Sequence, residues 1–166
     1  VLEYTMTYAT TGNFTSAQLR DQAATLIFAS FDISRAIALG EIALEIARTR
    51  SLPVAIEVWH TGRLVFKAAL PGSSSDNDDW LRRKRNVVER LNMSTMAARI
   101  EYEEKGQEFI AATGLPSNDY AAHGGGWPIA VAGTGTVGFL GISGLPQVQD
   151  HELIVECLTS AISAGS

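Results

Sequence analysis

The six residues His123-Gly124-Gly125-Gly126-Trp127-Pro128 bring together an imidazole, three glycines and a flat indole. Three successive glycines give up backbone entropy on folding, so a structural or chemical need is expected behind them. They suit a row of main-chain N–H groups offered to an anion, or a flat ligand approaching the backbone closely. His123 adds a metal ligand or proton carrier, and Trp127 an apolar surface for a planar molecule. A plain surface loop feeding a strand is the competing reading. Lys84 is the second candidate. Trp80, Val87, Val88 and Leu91 form one stripe of a helix, and Lys84 falls within it, four residues beyond Trp80. A lysine there either snorkels to water or meets a specific anion. Its neighbours Arg82, Arg83 and Arg85 are expected on a solvated face.

Other residues carry weaker signals. Gly133-Thr134-Gly135-Thr136-Val137-Gly138 matches the dinucleotide pattern G-x-G-x-x-G, but a strand-like run from Phe139 to Ser143 follows where that motif needs a helix. A tight hairpin is the expectation instead. Asp150 suits the cap or first turn of the last helix, and His151 beside it is expected to face solvent. His60 falls in a hairpin turn. Cys157 lies on an inward helical stripe and reads as a small core residue. Nucleophile-elbow, H-E-x-x-H and P-loop motifs do not occur in the sequence.

The elements that must position these residues follow from periodicity. Residues 1–14 read as an N-terminal arm with strand-like alternation, and residues 15–166 as one domain. Thr15 or Ser16 caps a first helix, and Asp32 or Ser34 a second, with Gly40 in its middle. Val54 to Ala68 reads as a β-hairpin turning at His60–Arg63. Asp76 or Asn77 caps the helix that carries Lys84, and Ser94 the next. Ile129 to Leu145 reads as two strands, and Asp150 begins a last helix. Five helices and two hairpins make an α/β (α+β) chain with an antiparallel sheet.

Composition narrows the function classes. The chain is 46% hydrophobic and 19% charged, which fits a globular fold and leaves no apolar run of membrane-spanning length. Thirteen basic against 18 acidic residues give a net charge of −5, so nucleic acid is not an expected partner. The single cysteine excludes an intrachain disulfide framework or thiolate zinc site, in keeping with a cytoplasmic, reducing compartment.

Taken together, Asn77-x-x-Trp80-x-x-x-Lys84-x-x-Val87, Gly124-Gly125-Gly126-Trp127-Pro128-Ile129, Val137-Gly138 and Ser143-Gly144-Leu145-Pro146-Gln147-x-x-Asp150-His151 resemble the haem-degrading-domain family. That group holds the GlcG-like and HbpS-like proteins and the C-terminal domain of PduO. The resemblance implies a profilin-like fold of about five antiparallel strands with helices on both faces, in three layers. It also implies homo-oligomers built on dimers and haem, or a related flat anionic cofactor, as ligand. The resemblance covers Asn77, Trp80, Lys84, Gly124, Gly125, Gly126 and Trp127, which together with His123, read from the residues themselves, are the expected cofactor-binding positions. His123 and His151 are the metal-ligand candidates. It does not single out an axial haem ligand or a catalytic motif.

Three functions are therefore open from sequence. The first is a protein that binds haem or another small anionic ligand, with Lys84 or an arginine pairing a ligand carboxylate. The second is an oligomeric scaffold without a cofactor. The third is an enzyme acting on a small carboxylated metabolite, with His123 as base.

Overall fold

The computed structural model describes residues 11–165. Its helices are α1 (Ser16–Thr25), α2 (Ile33–Thr49), α3 (Ser75–Leu91), α4 (Thr95–Glu103), α5 (Phe109–Thr113) and α6 (Gln147–Ala164). The strands are β1 (Ala55–His60), β2 (Arg63–Ala69), β3 (Gly126–Val131) and β4 (Gly135–Ser143). They form an antiparallel sheet in the order β2-β1-β4-β3. The expected five strands are four among the described residues. At the fifth position, beside β3, a single residue pairs: the Phe28 N–H donates to the Ala130 carbonyl, and the Ala132 N–H to that of Phe28.

Strand alternation divides the sheet into two faces. Ile56, Val58, Trp127, Ile129, Leu140 and Ile142 share the main core with α2 and α6. The opposite face lies under α3. There Gly126 and Gly141 pair across β3 and β4, and their missing side chains make room for the helix. A Cβ on Gly141 would meet Leu81 and Phe139, and one on Gly126 would meet Thr95 and Val88. Gly40 serves α2 in the same way, because the Phe66 ring of β2 fills the space its Cβ would need.

The helix starts refine the sequence reading. Thr15 caps α1 through a capping box, Asp32 caps α2 and Ser94 caps α4. The cap of α3 is Ser74 rather than Asp76 or Asn77, with Asn77 closing the box from the third helical position. The last helix begins at Gln147, after Pro146, so Asp150 sits inside its first turn. Short α5 has too few residues to show a period. The G-x-G-x-x-G segment runs from the β3–β4 turn into the start of β4, with Gly133 at φ 75° and Gly135 at φ 98°.

Of the N-terminal arm, residues 1–10 lie outside the described residues. Thr11 is buried, and Phe14 packs edge-on to His151 at 5.4 Å between ring centroids. Among the described residues, no helix is long and apolar enough to cross a membrane.

Candidate functional site

Lys84 arrives at the site because α3 must place its apolar stripe on the sheet. Leu81, Val87 and Val88 are buried on that stripe, and Lys84, in line with them, is 2% exposed. Its Nζ donates to the Ile142 carbonyl at 3.1 Å and to Asp150 Oδ2 at 3.3 Å. Asp150 is equally enclosed. Its carboxylate also accepts from the Leu145 N–H at 3.0 Å and the Gly144 N–H at 3.4 Å, tying the loop after β4 to α6. Burial pushes Lys84 below the ordinary lysine range against the pull of Asp150. Burial likewise pushes Asp150 up to about 6, opposed by Lys84 and the two backbone donors.

The three glycines answer a packing need. A Cβ on Gly124 would collide with the Gln147 carbonyl, and one on Gly126 would crowd Thr95. Gly125 has φ 120°, and a Cβ there would press on the Ile142 carbonyl and Lys84 Nζ. Two of the three amides are already engaged. The Gly124 N–H donates to Gln147 Oε1 and the Gly126 N–H to Thr95 Oγ1. The expectation of a row of free N–H groups for an anion is therefore corrected. What the glycines do is let the chain pass between α3, α4 and α6.

The loop before them carries His123, and the basic run holds that loop down. Arg82 donates to Asp119 and to the Asn118 carbonyl, Arg83 to the Ser117 carbonyl, and Asn86 to the Asp119 carbonyl. Arg85 pairs with Glu89 and lies over Trp59. These arginines are therefore engaged with their own chain. His123 lies edge-on to Trp80 at 4.9 Å, and its ring makes no hydrogen bond among the described residues. Burial first, and then the charges of Arg99, Lys84 and Arg83, hold it down to about 4, so its imidazole is neutral at pH 7.

Asn77, Trp80, Lys84 and His123 thus converge on one cavity of about 260 Å³. Sequence reasoning had not assigned the rest of its wall. Ser143, which Asn77 approaches at 3.4 Å, Gln147 and Asp150 complete the polar lining, with Gly144 and Leu145 beside them. The Ser143–Gln147 stretch was part of the family resemblance, and that was its only signal.

Two expected site residues lie elsewhere. Trp127 is 2% exposed and sits in the main core, so its ring offers no platform to this cavity. His151 is fully buried between Phe14 and Trp127, with Nε2 at 2.8 Å from Gln22 Oε1. It points into the core rather than to solvent and does not join His123. No group of three metal-ligating side chains occurs among the described residues. Cys157 is buried and its thiol is pushed up to about 12.

The family described as "haem degrading protein HbpS-like" matches residues 31–159. The chain belongs to this HbpS-like family. Among HbpS-like relatives, a UPF0303 protein of Streptomyces coelicolor is 46% identical over 144 residues, covering 87% of this chain and 91% of its own length. A UPF0303 protein of Burkholderia thailandensis is 45% identical over 141 residues, covering 85% of this chain and 86% of its own. Among solved structures, the Ybr137w protein superposes with a TM-score of 0.80 at 26% identity, covering 90% of this chain and 88% of that one. A PduOC:heme complex superposes with a TM-score of 0.66 at 19% identity, covering 80% and 95%, a likeness of fold.

Haem is the group that the family description implies. The cavity is smaller than the roughly 300–1,000 Å³ of ordinary drug-sized sites, and its wall is polar where such sites are mostly apolar. Trp127, expected as a flat platform, is in the core, and the indole that does line the cavity, Trp80, is already taken up by the His123 ring and the Arg83 guanidinium. The residues lining the cavity do not fit a buried haem.

Proposed function

We propose that the chain binds a small carboxylated metabolite in the cavity between α3 and the first turn of α6. The observation that carries this reading is the convergence of three distant stretches, 77–84, 123 and 143–150, on one polar cavity. Its surroundings lean positive on the His123 side: Arg83, 4.0 Å above the Trp80 ring and paired with Asp79, Arg99, paired with Glu103, and Lys84, paired with Asp150, all act on His123. Asn77, Ser143 and Gln147 supply neutral donors and acceptors that orient a ligand. The neutral His123 imidazole can accept a proton or a hydrogen bond from it.

Titrations with lactate, succinate and hemin separate the ligand classes. Lactate or succinate is expected to bind wild type and to bind at least ten-fold more weakly to His123→Ala, about 1.4 kcal/mol. Failure of both acids to bind would overturn the reading. A Soret shift on adding hemin that is lost in His123→Ala but kept in His151→Ala would restore haem, held at the cavity mouth.

A second reading, self-association, is favoured by a different surface. Ile33, Ile37 and Leu64 are 46%, 40% and 42% exposed, and the outer edge of β2 pairs with no strand among the described residues. An open, apolar edge is a surface that chains cover by assembling. Light scattering on Ile37→Glu/Leu64→Lys is expected to show a smaller particle than wild type. Equal masses would remove this edge from any assembly.

A further inference from the structure

We propose that Lys84 captures a small 2-oxo acid in this cavity as an imine, a step that rests on the ligand-binding reading above. The argument begins with valence. An ammonium group carries three N–H donors, whereas a neutral amine carries two and a lone pair. The structure gives Nζ two acceptors, the Ile142 carbonyl and Asp150 Oδ2, and Lys84 also lines the cavity. Those two acceptors leave one position on Nζ, the third N–H of the ammonium or the lone pair of the amine, for an occupant of the cavity. Burial favours the amine by lowering the proton affinity of the group. A desolvated lysine with a free lone pair is the kind of nucleophile that condenses with carbonyl compounds.

The chemistry balances with what the cavity holds. The Lys84–Asp150 pair shares one labile proton between amine and carboxylate. With that proton on Asp150, the Nζ lone pair attacks the carbonyl carbon, the N–C bond forms and the carbonyl π bond breaks. One nitrogen proton passes to the oxygen, giving a neutral carbinolamine. The nitrogen lone pair then expels the hydroxyl, which takes the proton from Asp150 and departs as water. The products are an iminium on Lys84 and the Asp150 carboxylate beside it, an ion pair that replaces the one already there. No oxidant or reductant enters. His123, neutral and on the wall of the same cavity, is the group available to exchange a proton with the carbon next to the imine. The ligand class follows from the walls. An aldehyde or ketone is needed for the amine, a carboxylate suits the neutral donors of Asn77, Ser143 and Gln147 and the positive potential acting on His123, and about 260 Å³ admits a short chain.

The chain has three lysines, Lys67, Lys84 and Lys105, which makes the test clean. Lys67 is paired with Glu57 and Asp78, and Lys105 is exposed. Full-length protein is incubated with pyruvate and cyanoborohydride, and the adduct is located by peptide mass mapping. The expected result is one Nε-(1-carboxyethyl) adduct on Lys84, formed at least ten times faster than on Lys67 or Lys105 and slowed by excess lactate. Asp150→Asn is expected to slow trapping about a hundred-fold, the scale of a lost acid catalyst. Mapping on the wild-type chain keeps the test valid even where Lys84→Met fails to fold. Pyruvate and lactate both binding, with hydride label absent or spread over surface lysines, overturns the imine and leaves the ligand reading intact. Binding of neither pyruvate nor lactate overturns the capture of 2-oxo acids, and the succinate titration then decides whether the cavity binds carboxylates at all.

Discussion

Lys84→Met is expected to destabilise the protein by about 3–5 kcal/mol at pH 7, the cost of stranding one partner of a buried ion pair. Lys84 and Asp150 are both nearly inaccessible, so the carboxylate left behind is poorly solvated. Methionine follows the path of the lysine stem, which leaves the packing against Val88 and Gly126 close to unchanged and isolates the electrostatic effect. The remaining carboxylate keeps two backbone donors, from Gly144 and Leu145, and loses its only cationic partner. Asp150 then becomes harder still to ionise. A carboxyl whose folded pKa is raised contributes stability that is full below its unfolded pKa and is lost as pH rises through the folded one. The defect of Lys84→Met is therefore expected to shrink on acidification from pH 7 to pH 5. The double variant Lys84→Met/Asp150→Asn is expected to recover most of the loss at pH 7, because Asn still accepts from Leu145 and carries no charge. Urea unfolding of the four proteins at both pH values forms the cycle. A single variant as stable as wild type, or a double variant no better than the single, would show that the pair does not hold α3 to α6.

The same pair marks the boundary of what the sequence discloses. The order of the strands and of five helices was legible, since alternation and 3.6-residue spacing are local signals, and so were Thr15, Asp32 and Ser94 as caps. Lys84 could be singled out as a charge on an apolar stripe. Its partner could not be read, because Asp150 is 66 residues away and in sequence looks like an ordinary first-turn acid. The glycine run was legible as a constraint, but its cause was not. A ligand and a neighbouring helix ask for the same absence of a side chain, and only the crossing of α3 and α4 over Gly124–Gly126 distinguishes them. Trp127 and His151 were read as available to a ligand for a related reason. In β3 and α6 the side a residue faces depends on which surface is covered, and both faces of this sheet are. The roles of Arg82 and Arg83 in fastening the His123 loop depend on a long-range return of the chain, which leaves no mark in local composition.

His151 is expected to make the fold acid-sensitive. Its ring is fully buried, Nε2 meets Gln22, and Nδ1 has no partner. Protonation would place an unpaired N–H and a charge among Phe14 and Trp127. Burial accordingly lowers its pKa from the ordinary histidine value of about 6.5 to about 4. The unfolded chain takes up this proton near pH 6.5 and the folded chain only near pH 4. Between those values the unfolded state binds more protons, and stability falls as pH falls. A difference of that size corresponds to about 3 kcal/mol, present in full above pH 6.5 and lost by pH 4. His123, half-buried, acts in the same direction. Asp150 opposes them, since its raised pKa favours the folded state as pH drops below about 6. The raw pH profile is therefore a sum, and the informative quantity is the difference between wild type and His151→Leu. Leucine keeps the site apolar and removes the titration, while Gln22, only partly buried, can turn to water. Urea unfolding at pH 7 and pH 4 is expected to show wild type losing about 3 kcal/mol more than the variant. Parallel losses in the two proteins would mean that the unfolded state gains no proton at His151 that the folded state lacks. The packing of Phe14 and α1 on α6 would then be insensitive to acid.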